Sequence, residues 1–145
     1  MKFYAETLRL DSTEKLDIMD ITSEVNAILK ASRVKQGLVT VFSKHTTTAL
    51  RINENEPRLL QDLKLFLEQH APSSGKYLHD DMDERDVPID EQVNGHSHLK
   101  QIMLGTSETI PVSNGKMQLG TFQSILFIEL DGPRARNVSI HIQGE

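Results

Sequence analysis

Short segments with strand-like spacing and longer segments with helix-like spacing follow one another along this chain. Residues 138–142 repeat with a period of two, which predicts that Val138, Ile140 and Ile142 face a core while His141 faces solvent. The stretch after Pro57 repeats with the helical period, and proline suits the first helical position because an N–H there has no intrahelical partner. Together the patterns predict strands over 2–10, 38–43, 49–52, 109–112 and 124–130, and helices from residue 22 or 23 to before 37, over 57–70, and from 94 through 103.

Turn and loop signals separate these elements. Asn114-Gly115 predicts a type I′ hairpin turn, because both residue types accept positive φ. Pro111 cannot donate a ladder hydrogen bond, which predicts that its strand lies at a sheet edge. Residues 71–93 contain seven carboxylates, and an irregular segment of this length is either a functional loop or a solvated acidic surface.

Composition narrows the classes of protein and partner. A length of 145 residues fits one domain over residues 1–145. The net charge of −5 argues against nucleic acid or an anionic membrane as the main partner. No apolar run reaches transmembrane length and the first residues lack the apolar segment of a signal peptide, so we expect a cytoplasmic protein with no membrane partner. Because there is no cysteine, any metal would be held by nitrogen and oxygen ligands.

Three histidines stand where regular elements give way to loops. His45 follows an apolar strand, His79 opens the acidic segment, and His98 lies at the front of a helical pattern. Neutral imidazole is the commonest metal ligand in proteins and a proton carrier near pH 7. The three side chains would build an open metal site if they converged, and they would be ordinary solvated or hydrogen-bonded histidines if they did not.

An ordered set of short motifs resembles the YjbQ-like family, whose members are described as secondary thiamine-phosphate synthases. The resemblance runs from near Gly37 to the closing Gln143-Gly-Glu145 and is weaker before residue 37. The chain departs from the family pattern at Phe122, where tryptophan is expected, and at Glu56-Pro57, where Asp-Pro is more usual. The motifs are His45-Thr-Thr-Thr-Ala-Leu50, Asn53-Glu-Asn55, Tyr77-Leu-His-Asp80, Ser97-His98, Leu104-Gly-Thr-Ser107, Ile110-Pro-Val112 and Leu119-Gly-Thr-Phe-Gln123.

The resemblance implies an α+β fold, a mostly antiparallel, barrel-like β-sandwich with a few flanking helices, and a homotrimer with sites in clefts. It also implies which residues matter. The family's histidines fall on His45, His79 and His98, and its acidic positions fall on Glu54, Asp62 and Asp80. The family has no histidine that matches His96, and two residues of separation on a helix would point His96 and His98 in different directions.

The expected site follows from these positions. We expect a divalent metal, zinc before magnesium, on His45, His79 and His98. Catalytic roles are expected for His45, Glu54, Asp62 and His98. Substrate contacts are expected from Thr46, Asn53, Ser107, Gln123 and Arg136. Residues 53–55 would otherwise be a turn before the next helix, and Asp62 an ordinary helix-flank charge. Glu129, inside an apolar strand, should face solvent, pair with a cation such as Arg134 or Arg136, or serve a site.

The leading functional hypothesis is the reaction that the resemblance implies, in which an aminopyrimidine diphosphate and a thiazole phosphate form thiamine phosphate and diphosphate. The word "secondary" in the family's description leaves open whether this reaction is the main activity or a side activity. The first alternative is a metal-dependent hydrolase of a phosphorylated small molecule. The second is a trimeric protein that binds a metal or metabolite without turnover.

Overall fold

A computed structural model describes residues 1–145, and every strand pairing in it is antiparallel. The strands are β1 (Lys2–Asp11), β2 (Asp17–Asp20), β3 (Gly37–Ser43), β4 (Thr48–Asn53), β5 (Ser107–Ser113), β6 (Lys116–Met117), β7 (Ser124–Glu129) and β8 (Ala135–Gly144). The helices are α1 (Thr22–Ser32), α2 (Pro57–His70) and α3 (Gly95–Leu104). Two single 3₁₀ turns, Leu78–Asp80 and Met82–Glu84, interrupt the acidic segment.

Two sheets carry the fold. The larger has the order β1-β8-β3-β5-β6 and the smaller has the order β2-β7-β4. The side chains of the larger sheet that face inward pack with α1 and with one face of β7, as shown by the core cluster that joins Val41, Ile140, Val25 and Phe127. The expected α+β fold with a mostly antiparallel, barrel-like sheet and flanking helices is therefore confirmed.

Strand β7 is apolar from Ile125 to Ile128 because both of its faces are covered there. Ile125 and Phe127 belong to the main core, whereas Leu126 and Ile128 pack with Leu67 of α2 in a second cluster. A strand buried on both faces loses the alternation of polar and apolar residues that a half-exposed strand shows. The run over 124–130 in the sequence has this origin.

Strand β8 is covered on one face only, and its alternation is confirmed. Val138, Ile140 and Ile142 are buried, while His141 is exposed on the outer face of the larger sheet. The outer face also exposes the side chains of Phe3 and Phe42.

Local turn signals are confirmed except at one strand. Asn114 and Gly115 have φ values of 52° and 73°, as a type I′ turn requires. The prediction that the Pro111 strand lies at a sheet edge is wrong, because the two-residue β6 pairs outside β5. Pro111 itself nevertheless has no strand outside it. Its carbonyl accepts a bond from the Gln118 N–H beyond the end of β6, so no strand there requires the backbone N–H that proline lacks.

Candidate functional site

The candidate site lies where two connections cross from one sheet to the other. The first leads from β3 to β4 through residues 44–47, and the second leads from β7 to β8 through residues 130–134. The Leu130 N–H donates to the Thr47 carbonyl at 3.0 Å, which holds the two connections together. Helix α3 begins against them, since the Ser97 hydroxyl donates to the Leu130 carbonyl at 2.5 Å.

The pocket at this crossing has a volume of about 310 Å³, close to the lower end of the range for small-molecule sites. No hydrophobic residue lines it. Its nine lining residues are Lys44, His45, Thr46, Thr47, Glu91, Asn94, His98, Arg134 and Arg136. A pocket with this lining offers many hydrogen-bond donors to a polar or anionic ligand.

Arg136 is the most firmly held of these donors. It is 4% exposed, and its Nε and Nη2 atoms donate to the two Glu129 oxygens at 2.8 and 2.6 Å. Nη2 also donates to the Thr47 hydroxyl at 2.9 Å. Burial would raise the pKa of Glu129, but the hydrogen bonds from Arg136 and Ser12 outweigh it and keep the carboxylate ionised. Of the three alternatives that the sequence left open for Glu129, the structure shows pairing with a cation, Arg136.

Asp131 holds donors on the other side of the pocket, as Glu129 holds Arg136. Only 2% exposed, it accepts bonds from Lys15 at 2.6 Å, from Arg134 at 2.7 Å and from the Asn94 amide at 2.8 Å. Burial would raise the pKa of Asp131, but the bonds from Lys15 and Asn94 lower it. Two buried carboxylates therefore stand behind the pocket and fix the orientation of three of its lining side chains.

His45 and His98 both line the pocket, and His79 packs against His98 with ring centroids 4.5 Å apart. His45 Nε2 accepts a bond from the Asn137 backbone N–H at 2.9 Å. Burial, followed by the nearby Arg136 for His45 and by His79 for His98, lowers the pKa of both histidines. The two imidazoles are consequently neutral at pH 7.

The predicted metal ligands do not form a ligand set in this structure. No group of three or more His, Asp or Glu side chains is placed to hold one ion. His45 Nε2 is occupied by Asn137, and His79 Nδ1 is buried without a partner, 3.8 Å from the nearer Asp80 oxygen. The zinc or magnesium site therefore stays a prediction from the sequence.

Several predicted site residues lie elsewhere. Asn53 and Glu54 line a separate, mainly apolar pocket beside α2, and Asp62 is exposed on that helix. Ser107 lines a groove on the outer face of the larger sheet, and Gln123 is exposed with its side-chain oxygen on the Gly120 N–H at 2.8 Å. Within this single chain, none of the five contacts the pocket between His45 and His98.

His96 and Lys100 of α3 are buried and do not line the pocket. For His96 this agrees with the expectation that it points in a different direction from His98. Lys100 Nζ donates to Glu68 at 3.0 Å and lies 3.2 Å from His96 Nδ1. Glu68, near the end of α2, also accepts two bonds from Ser73. Its bond from Lys100 joins the end of α2 to α3. This cluster and Asp131 had no signal in the sequence, because the spacing of charged residues does not show which of them are buried.

The fold and site together define an α+β protein with two antiparallel sheets and a polar, histidine-containing pocket at their crossing. Over residues 6–145 the chain matches the family described as UPF0047 protein YjbQ-like. A UPF0047 protein of Methanothermobacter thermautotrophicus is 42% identical over 100% of this chain and 95% of its own length. The YjbQ protein of Escherichia coli O157:H7 is 34% identical over 99% of both chains.

Solved structures agree with this match. The crystal structure of a YbjQ-like protein of unknown function from Sulfolobus solfataricus P2 superposes with a TM-score of 0.90, at 32% identity over 99% of both chains. A hypothetical protein from Aeropyrum pernix K1 gives a TM-score of 0.89 at 35% identity, over 98% of this chain and 99% of its own. The chain belongs to the YjbQ-like (UPF0047) family. No helix in it combines the length and the apolar character that crossing a membrane would require.

Proposed function

We propose that the pocket between His45 and His98 binds the phosphate or diphosphate group of a small molecule and that the protein is an enzyme acting on that molecule. The observation that carries the proposal is Arg136, a buried guanidinium held on Glu129 by two hydrogen bonds inside a pocket without apolar lining. A planar guanidinium with spare N–H groups suits phosphate oxygens. The lining residues Lys44 and Arg134 add two further cationic donors.

Most of the positive charges that line the pocket are paired with carboxylates, so the pocket would recognise an anion through hydrogen-bond donors of fixed orientation more than through a net positive charge. Glu129 balances Arg136, and Asp131 balances Arg134, so among the lining cations only Lys44 has no carboxylate partner. Donors fixed in advance stabilise the charge that develops on a leaving group without reorganisation during the reaction. Loss of diphosphate from an aminopyrimidine diphosphate is a reaction of this kind. We therefore propose formation of thiamine phosphate as the first activity to test, with hydrolysis of a phosphorylated small molecule as the second.

Binding is tested first. Inorganic pyrophosphate is titrated into the protein by isothermal calorimetry, and the titration is repeated with Arg134→Ala and with Arg58→Ala. Arg58 is an exposed arginine of α2 outside the pocket, so it is the matched control. A charge-assisted hydrogen bond contributes about 1.5–3 kcal/mol, so Arg134→Ala should weaken binding by about tenfold or more. Equal affinity of both variants would refute the pocket assignment.

Turnover is tested with the aminopyrimidine diphosphate in the presence and absence of the thiazole phosphate, by following diphosphate release. Release that depends on the thiazole phosphate indicates the synthase, release without it indicates a hydrolase, and binding without release supports the non-enzymatic alternative. His45→Ala and His98→Ala should lower kcat/KM by about 10²-fold or more, the loss that follows when an oriented hydrogen-bond donor or a proton-transfer group is removed from a site. His70→Ala and His141→Ala, which change exposed histidines away from the pocket, should leave it nearly unchanged.

We also propose that the protein is a trimer, as the family resemblance implies, with the outer face of the larger sheet buried between subunits. Phe3 is 77% exposed and Phe42 is 42% exposed on this face, and both line a groove of about 570 Å³. Aromatic side chains grouped on one exposed face are typical of an interaction surface. Light scattering at micromolar concentration should report three subunits, and Phe42→Glu should shift the mass towards one. A monomeric parent protein would contradict this proposal.

A further inference from the structure

The end of the ladder between β3 and β8 leaves one backbone donor without a backbone acceptor. The pairing of these strands runs from Gly37 opposite Gly144 to Ser43 opposite Val138. Asn137 is the next residue of β8, and its N–H donates to His45 Nε2 at 2.9 Å. The imidazole of His45 therefore takes the place that the next carbonyl of β3 would have had.

This bond determines the protonation of the ring. A backbone N–H is only a donor, so the atom that it meets must be an unprotonated acceptor. A neutral imidazole with an unprotonated Nε2 carries its hydrogen on Nδ1. His45 Nδ1 has no partner within the chain and is not among the buried atoms that lack one, so it is accessible to solvent on a residue that lines the pocket.

We propose that His45 serves the pocket as a neutral Nδ1–H hydrogen-bond donor to the bound anion, with its tautomer selected by the Asn137 backbone, and that it is neither a metal ligand nor a general base. A metal or a proton would need an unprotonated nitrogen, and the only one is occupied by Asn137. The neutral ring holds its proton in a hydrogen bond to the ligand, because giving the proton up would leave an unfavourable imidazolate. A neutral histidine that stabilises a developing negative charge in this manner is known from another enzyme.

The lowered pKa of His45 agrees with this role, since burial and then Arg136 favour the neutral ring. The arrangement also explains why an anion pocket would contain a neutral donor. Arg136 and Arg134 already bring guanidinium charges to the pocket, and both act on the His45 pKa. Lys44 already adds a third cation to the lining, and a further charge on His45 would be repelled by all three, whereas a neutral N–H adds a donor without that repulsion.

The first test reads the tautomer directly and needs no ligand or activity. Long-range ¹H–¹⁵N correlation spectra of protein labelled at histidine are recorded at pH 7.5, and the signals of His45 are assigned by their loss in His45→Ala. The expected result is a protonated Nδ1 and an unprotonated Nε2. A protonated Nε2 would overturn the proposal, and so would a change of the His45 nitrogens to a metal-bound pattern when zinc chloride is added.

The second test separates the two nitrogens by substitution, with inorganic pyrophosphate as the probe. His45→Asn retains an amide N–H near the position of Nδ1, whereas His45→Leu has a similar size and no donor. His45→Asn should bind pyrophosphate within about threefold of the parent protein, and His45→Leu should bind about tenfold more weakly, the loss of one hydrogen bond to a charged ligand. Equal losses in both variants would overturn the donor role. Circular dichroism confirms that each variant is folded.

This inference rests on the proposed phosphate pocket, and the two can fail separately. If pyrophosphate does not bind although the spectra show the Nδ1–H tautomer, the proposed function fails while the tautomer assignment stands. If pyrophosphate binds with Arg134 required but His45 carries its hydrogen on Nε2, the pocket stands and the role assigned here to His45 is wrong.

Discussion

Replacing Arg136 by methionine should destabilise the protein strongly at neutral pH, because the change leaves a buried carboxylate without its cation. Glu129 is 0% exposed and Arg136 is 4% exposed, so water cannot compensate for the missing guanidinium. Removal of one member of a buried ion pair costs about 3–5 kcal/mol. Glu129 would keep the bond from Ser12 at 2.7 Å and those from the Leu130 and Asp131 N–H groups at 3.1 Å, so we expect about 3 kcal/mol, the lower end of that range.

The assay is urea unfolding followed by circular dichroism, on the parent protein, Arg136→Met, Glu129→Gln and the double variant. Glutamine keeps a side-chain oxygen for the backbone donors but carries no charge, so the double variant should be more stable than Arg136→Met alone. Arg136→Met should lose about 3 kcal/mol of the free energy of unfolding at pH 7. A loss below about 1 kcal/mol, the level of an exposed ion pair, would refute the buried pair. Additive effects of the two substitutions would refute their coupling.

The dependence on pH gives an independent check. In the parent protein the pKa of Glu129 is lower in the folded state than the ordinary 4.5, so the stability that its ionisation contributes is present above pH 4.5 and is lost as the pH falls through the folded value. Without Arg136, the largest remaining influence is burial, which raises the pKa. The stability difference between parent and variant should therefore shrink between pH 7 and pH 4, and a constant difference would contradict this linkage.

Two further predictions concern other parts of the fold. Hydrogen bonds from Ser73 and the charge of Lys100 outweigh desolvation and lower the pKa of Glu68 to about 2, so Glu68 contributes stability above pH 4.5 that is lost as the pH falls towards 2. Glu68→Gln should flatten the acid limb of a plot of stability against pH, and an unchanged limb would contradict the assignment. Gly115→Ala should cost about 1–2 kcal/mol in urea unfolding, because φ is 73° there, whereas Asn114→Gly should be nearly neutral.

The elements that depend on neighbours in the sequence could be predicted closely. Helix α2 runs from Pro57 to His70, as its spacing indicated. The departure from the family pattern at Glu56 is harmless, because the Glu56 side chain accepts bonds from the Arg58 and Leu59 N–H groups and caps the helix. The start of α1 was less predictable, because the residue at the cap position is Ile21, whose side chain cannot cap the helix. The Thr22 hydroxyl donates to Asp20 and accepts a bond from the Ile125 N–H.

The candidate site depends on contacts between distant residues, and for that reason only part of it could be predicted. His45, Thr46, His98 and Arg136 were identified from their positions and from the resemblance, and the structure brings them to one pocket. Asp131 could not be found, since a carboxylate just after an apolar strand is usually a solvated loop residue. Its burial depends on Lys15, 116 positions away, and on Asn94, 37 positions away.

The two buried carboxylates also explain how an acidic protein could have the anion pocket that we propose. The net charge is −5, and seven of the carboxylates lie in the segment 71–93. Glu129 and Asp131 differ from those carboxylates, because they lie behind the pocket and accept hydrogen bonds from the arginines that line it. Burial of the two carboxylates keeps water away from their oxygens, which strengthens these bonds. The recognition of an anion would therefore depend on where the remaining N–H groups point and only weakly on the net charge, so pyrophosphate affinity should change less with salt than it does in a site of exposed lysines.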